Sequence, residues 1–423
     1  MGQEIAASKF SQQDFDAFQE RLREETALLE TWFRDGVFSE VSGKGGFELE
    51  AWLVDAEAEP TGINQSYLER LDDPLVVEEL ATFNVELNST PLVLEGNALG
   101  RMARELESTW EHCNRVAQEL GARLAMVGIL PTLKRNRLNL SSMSPLQRYR
   151  ALNEQVLRQR AGCPIRLHIG GRDRLDLQHE DVMLESAATS FQIHLQASPQ
   201  RMLRIYNASK VLAAPMVAAC ANSPFLFGRD LWDETRIPLF EQAVAVGRSD
   251  LTKRVSFGIR YAEHSILECF QANLARYPVL LPHLMDEAPE RLAHLRLHNG
   301  TIWRWNRPLI GFDADGTPHL RIEHRVVPSG PSVADSIANT ALFFGAVRAL
   351  VDQPEAAEHR LMFEQARANF YAAARHGLDA EITWLDRRRV RIADLMQAEI
   401  LPLAVAAWTL WASMLTKSPS GST

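Results

Sequence analysis

Cysteine is scarce. The four in 423 residues, Cys113, Cys163, Cys220 and Cys269, lie about 50 residues apart, without the paired spacing of a zinc knuckle or a redox dithiol. Reduced thiols in a cytoplasmic protein are the simplest reading. Positive charge is also short. The 45 Lys and Arg face 54 Asp and Glu, and the net charge of −9 repels a phosphate backbone, so nucleic acid is a poor partner. No apolar stretch follows a basic start, so no secretory leader is read. Long hydrophobic runs are nearly missing. The exception, Ile400 to Leu415 with Trp408 and Trp411, falls short of the roughly 20 residues of a membrane span and has Pro402 near its start. It is expected to be a buried or interface helix, with no membrane partner. No Walker-type glycine-rich loop and no Ser or Cys triad motif occurs, so phosphate held by such a loop and an acyl-enzyme are both set aside.

What remains is ordinary globular material, 46% hydrophobic and 23% charged, enough for a sizeable core. Without internal repeats or long linkers, one large domain over 1–416 is the default, followed by a disordered Ser/Pro/Gly-rich tail at 417–423. Helical spacing of Phe15, Phe18, Leu22, Leu29, Trp32 and Phe33 predicts an amphipathic helix at about 11–35. Leu99, Met102, Leu106, Trp110, Cys113, Ala117 and Leu120 predict a second. Further helices are expected at 200–220, 333–351, 355–376 and 389–415, the last three making a helical region at about 332–416.

Between the helices lie four short stretches with the two-residue period of a strand. In Phe47 to Leu53, the apolar Phe47, Leu49, Ala51 and Leu53 leave Glu48 and Glu50 on the opposite face. Glu86 and Asn88 share a face in Val85 to Asn88, as do Ser190, Gln192, His194 and Gln196 around Phe191, Ile193 and Leu195. Arg321, Glu323 and Arg325 line up against Leu320, Ile322 and Val326. The turn Asp313 to Gly316 before that strand, with Trp303 to Pro308 upstream, reads as an antiparallel hairpin. A sheet with so many carboxylates on one face needs cations, since crowded carboxylates otherwise take up protons. Glu48, Glu50, Glu86 and Glu323, with His194 as a nitrogen ligand, suit two or more Mg²⁺ or Mn²⁺ ions. Arg304, Arg307 and Arg325 suit phosphate oxygens, which guanidinium forks match in pairs. Each element alone has a plainer reading: a solvated Glu-x-Glu face, a structural histidine, a surface ion-pair ladder. The set of matching polar faces favours the metal site.

These motifs, in this order, resemble the glutamate–cysteine ligase superfamily, and within it the short bacterial carboxylate–amine ligases. The resemblance runs over about residues 40–410. It rests on Gly46-Phe47-Glu48-Leu49-Glu50, the acidic strand Glu86 to Pro91, Gln192-Ile193-His194, Ala221-Asn222-Ser223-Pro224, Arg236, Arg304-Trp305-Asn306-Arg307-Pro308 and Glu323-His324-Arg325. It implies an α+β, glutamine-synthetase-like antiparallel sheet with a polar, metal-binding face and helices on the other. It also implies a catalytic domain that uses ATP and Mg²⁺ (or Mn²⁺) on small-molecule amino-acid or amine substrates. Glu48, His194 and Glu323 would then hold the ion bridging the ATP phosphates. Glu50 and Glu86, with Glu79 as a further candidate, would hold the ion near the acceptor carboxylate. Arg325 would contact the transferring phosphoryl group with Arg304 and Arg307 nearby, and Arg236, Asn222 and Gln192 would lie toward the substrate. The sequence departs from the family pattern where Gln192 replaces a frequent His, and where Gly128-Ile129-Leu130-Pro131 replaces a Gly-Thr-His-Pro turn. Both departures fall at substrate-side or turn positions, so the amine, cysteine included, is left open.

The chemistry expected is activation of a carboxylate by ATP to a γ-glutamyl-phosphate-type acyl-phosphate, followed by attack of an amine. A phosphotransferase to a guanidine or amine, or a non-catalytic nucleotide- or amino-acid-binding regulator, are the competing readings. A homo-oligomer is compatible with the sequence.

Overall fold

The structure, a computed structural model, describes residues 4–5, 8–246 and 253–415. The tail expected to be disordered lies outside the described residues.

The architecture grows from one antiparallel sheet of eight strands. They are β1 (Lys44–Val54), β2 (Val76–Glu78), β3 (Asn84–Asn88), β4 (Leu92–Val93), β5 (Arg123–Ala125), β6 (Phe191–Ala197), β7 (Asn306–Phe312) and β8 (Pro318–His324). The main order is β7-β8-β6-β1-β3-β2, with β4 and β5 also pairing with β1. The expected hairpin is β7–β8, turning at Gly316, whose φ of 88° is in the left-handed region that glycine tolerates.

One sheet face is covered by helices. Pro199–Cys220 is buried nearly all round and Val333–Val351 mainly from Thr340 onward, with Ala98–Glu119, Phe363–His376 and Leu401–Leu415 packed outside them. Phe47, Leu49, Phe191, Ile193 and Ile322 point into this core. Gly45 allows the close approach, since a Cβ there would come within 2.5 Å of the Phe344 ring. The opening helix, Gln12–Asp35, is started by a Ser11–Asp14 capping box and stopped by Gly36 at φ 69°. It packs against Leu267–Arg276 and Ala293–Gly300.

Two apolar stretches, Val333–Val351 and Ile392–Thr409, are long and apolar enough to cross a bilayer by length and composition. They lie against one another. A Cβ at Gly345 would meet the Ala404 carbonyl at 2.7 Å, and the Trp408 indole donates to the Ala341 carbonyl at 2.9 Å. The helix expected at 389–415 starts late. Arg389–Arg391 instead pairs as a strand with Glu381–Thr383, in keeping with its alternating Arg-Val-Arg pattern, and the chain turns helical only at Ile392. A π-helical turn at Met396–Ile400 then precedes Pro402, which lacks the N–H of a regular helix.

Candidate active site

The other sheet face carries the polar rows. Pairing places Arg307 opposite Glu323, Glu323 opposite His194, and His194 opposite Gly46. In the next row Glu48 faces Gln192 on one side and Asn88 on the other. In the third, Glu50 faces Glu86. Further along this face of β1, Trp52 stacks on Phe83 at 5.6 Å. Two groups of candidate ligand atoms result, each within 4.8 Å: Glu48, His194 and Glu323, and Glu50, Glu79 and Glu86. The five carboxylates floor a cavity of about 260 Å³, whose walls include Leu152, Phe270, Leu281, Leu295, Leu297 and Trp303, with His194 just beneath, 3.4 Å from Glu48.

The first group is interleaved with cations. Arg307 grips both oxygens of Glu323 at 2.7 and 2.8 Å, and Arg325 donates to it at 3.1 Å. Burial opposes ionisation of Glu323, yet Arg307 and then Arg325 hold it well below the usual carboxylate range. His194 is pushed down to about 4, by burial first and against the pull of Glu48, so its imidazole is neutral near pH 7 and able to ligate. Its Nε2 lies 3.4 Å from Glu48 and 3.9 Å from Glu323 and has no hydrogen-bond partner. Arg321 donates to Nδ1 at 3.2 Å. Ligation through Nε2 puts the proton on Nδ1, so Arg321 must then give up that contact.

The second group is acid against acid. Glu50 is anchored by the Ser190 hydroxyl at 2.7 Å, the Ser190 amide at 2.6 Å and the Gln192 amide at 2.9 Å, though burial still raises its carboxyl. Burial and then Glu48 push Glu86 up to about 7. Burial, then Glu86 and Glu50, carry Glu79 well above the usual range. Glu185 borders the same cavity, raised to about 8 by burial and then by Glu50.

Of the residues singled out from sequence, Gln192, Arg307 and Arg325 join the six candidate ligands here, with Arg325 also donating to the side-chain amide oxygen of Gln192. Three others lie elsewhere. Arg304 borders a separate cavity beside Tyr277, because it stands an odd number of residues from Arg307 and just ahead of β7. Arg236 pairs with Glu234 at 2.9 Å and donates to the Arg325 and Val326 carbonyls, which commits its fork to the backbone. Asn222 donates to the Ser329 carbonyl at 2.9 Å. Sequence reasoning passed over Arg148, Glu185 and Arg296, which line the cavity from outside the four strands. For Glu185 a signal existed: it is the one acid in the apolar run Val182 to Ala187, where burial needs a reason.

Known proteins share this fold. Among solved structures, the glutamate–cysteine ligase of Francisella tularensis in complex with AMP is similar over 90% of this chain and 83% of its own, at 12% identity and a TM-score of 0.56. A bifunctional glutathione synthetase from Pasteurella multocida is similar over 89% of this chain and 48% of its own, at 12% identity and a TM-score of 0.53. At such identity the likeness is one of fold, the glutamine-synthetase-like antiparallel sheet expected from sequence. No curated protein sequence matches significantly. The family model for glutamate–cysteine ligase family 2 matches residues 45–406, from one residue into β1 to within the last helix, and the chain belongs to that family.

Proposed function

We propose that the protein is an ATP-dependent carboxylate–amine ligase of the glutamate–cysteine ligase kind, which forms an amide through an acyl-phosphate and releases ADP and phosphate. The observation that carries this is the adjacency of two acidic clusters and a set of arginine forks on one cavity floor.

The donor set fits magnesium or manganese. It comprises five carboxylates and one neutral imidazole whose buried Nε2 lacks a partner, and the crowded acids of its second cluster, Glu79 and Glu86, hold protons until a cation displaces them. Glu48, His194 and Glu323 would hold one ion and Glu50, Glu79 and Glu86 another, and bound there such ions would neutralise phosphate oxygens. Arg325, braced by Glu323 and Gln192, keeps its buried Nε without a partner, which supports assigning it to the transferring phosphoryl group. Leu281, Leu295, Leu297 and Trp303 shield an acyl-phosphate from water. The amine must shed a proton as it attacks. Glu185 borders the cavity, but with its carboxyl raised to about 8 it already holds a proton near pH 7, so that proton is not assigned to it. The substrates are small amino acids or amines, and the cytoplasm is the proposed setting.

The test is purified protein with Mg²⁺-ATP and glutamate against a panel of amines that includes cysteine, reading free phosphate and the mass of the ligated product. Hydroxylamine should trap the activated acyl group as a hydroxamate. AMP and pyrophosphate as main products would mean adenylation instead, and a phosphorylated amine would mean phosphotransfer.

A further inference from the structure

A second cavity, of about 50 Å³, lies apart from the acidic floor and is bordered by Tyr206, Gly258 to Ala262, the helix Leu267–Arg276 and Arg304. Arg304 is only 6% exposed, and its Nη1 is buried without a hydrogen-bond partner. Among the described residues no carboxylate pairs with it. Its guanidinium lies 5.5 Å from the Tyr277 ring and shares a side-chain hydrogen bond with Tyr277, which leaves Nη1 as the unspent donor. Tyr261 also lines this cavity, and its hydroxyl is likewise buried without a partner.

The cavity lining itself is mainly basic, although Glu358 and Glu364 stand close enough to act on the Tyr261 hydroxyl. Arg260 and Arg276 border the cavity as well, and its carboxylate, Glu268, is already engaged by the amides of Glu263, His264 and Ser265 and by Arg260 at 2.7 Å. Beside Gly258 stands Lys210, 1% exposed, donating to the Phe257 carbonyl at 2.6 Å over the rings of Tyr206 and Phe257. Burial and then the charge of Arg304 lower its ammonium to about 7. A buried guanidinium without a counter-charge is costly, and here it faces a space sized for one small group.

We propose that this cavity binds a small oxyanion, a single phosphate or carboxylate group, received by the Arg304 guanidinium and the Tyr261 hydroxyl. The space is too small for a nucleotide, so the site is separate from the proposed ATP floor.

Equilibrium dialysis of the full chain with inorganic phosphate tests it, with acetate as the competing carboxylate. Because the acidic floor has its own arginines, the measurement is repeated in Arg325→Gln. The proposed site persists in that variant, weakens about tenfold in Tyr261→Phe and at least about a hundredfold in Arg304→Gln. If Arg304→Gln does not fold, Arg304→Lys serves, with binding at least about tenfold weaker. Displacement of phosphate by equimolar acetate marks a carboxylate site, and its failure marks a phosphate site; both support the oxyanion. The proposal is overturned if neither anion binds Arg325→Gln, or if binding is unchanged in Tyr261→Phe and in the Arg304 variant.

Discussion

The two acidic clusters share β1 but are balanced in opposite ways. Around Glu323, two arginines lie within 3.1 Å, so the carboxylate stays charged with no ligand present. Around Glu79, the strongest charges are other carboxylates, Glu86, Glu50 and Glu185, and protons take the place of counter-ions. The first cluster is a standing frame of alternating charge that a phosphate can join. The second acquires its full negative charge only when a cation arrives, so its metal affinity is expected to rise with pH.

The sharpest test of a shared role is activity. Glu48→Gln and Glu50→Gln remove one charge from each cluster while keeping shape, and each should lower ATP turnover about a thousandfold. Full activity in both would dissolve the site. Stability should then separate the clusters. In metal-free protein, Glu323→Gln strands Arg307 and Arg325 and should cost about 3–5 kcal/mol in urea unfolding, whereas Glu79→Gln should cost nothing or stabilise. Equal losses would erase the contrast.

Arg236 extends the comparison, since its fork holds the backbone that carries Arg325. Arg236→Lys should cost about 1–3 kcal/mol and leave the KM for the carboxylate substrate unchanged. A raised KM at unaltered stability would return Arg236 to the substrate. The smallest effect is a slope. Folded Glu185 keeps its proton up to about pH 8, while the unfolded chain releases it near pH 4.3. Within that window the folded state binds more protons, so this group makes stability fall as pH rises. Denaturation of metal-free protein between these limits should show a flatter pH dependence in Glu185→Gln, and an identical slope would mean that Glu185 is ionised at neutral pH.

How much of this could be read from the chain depended on period. In β1, β3, β6 and β8 the two-residue alternation put Glu48, Glu50, Glu86, Gln192, His194 and Glu323 on common faces, and strand pairing did the rest. Arg304 precedes its strand, where alternation says nothing of direction, and it went to another cavity. Arg236 and Asn222 were assigned by motif, but contacts distant in sequence, to Val326 and Ser329, decide what their donors do. Arg148 and Glu185 come from a helix and a 3₁₀ turn that fold over the floor, and nothing local announces such a meeting.

Since Glu48 and Glu50 are neighbours on one face of a single strand, the spacing between the two clusters is a ruler cut to strand pitch, about 6.8 Å for two residues. Insertions in the surrounding loops cannot rescale it. Changes in substrate choice within this architecture should therefore collect in wall residues such as Leu281 or Trp303, and an engineer who wishes to alter the amine should leave β1 alone and recut the walls.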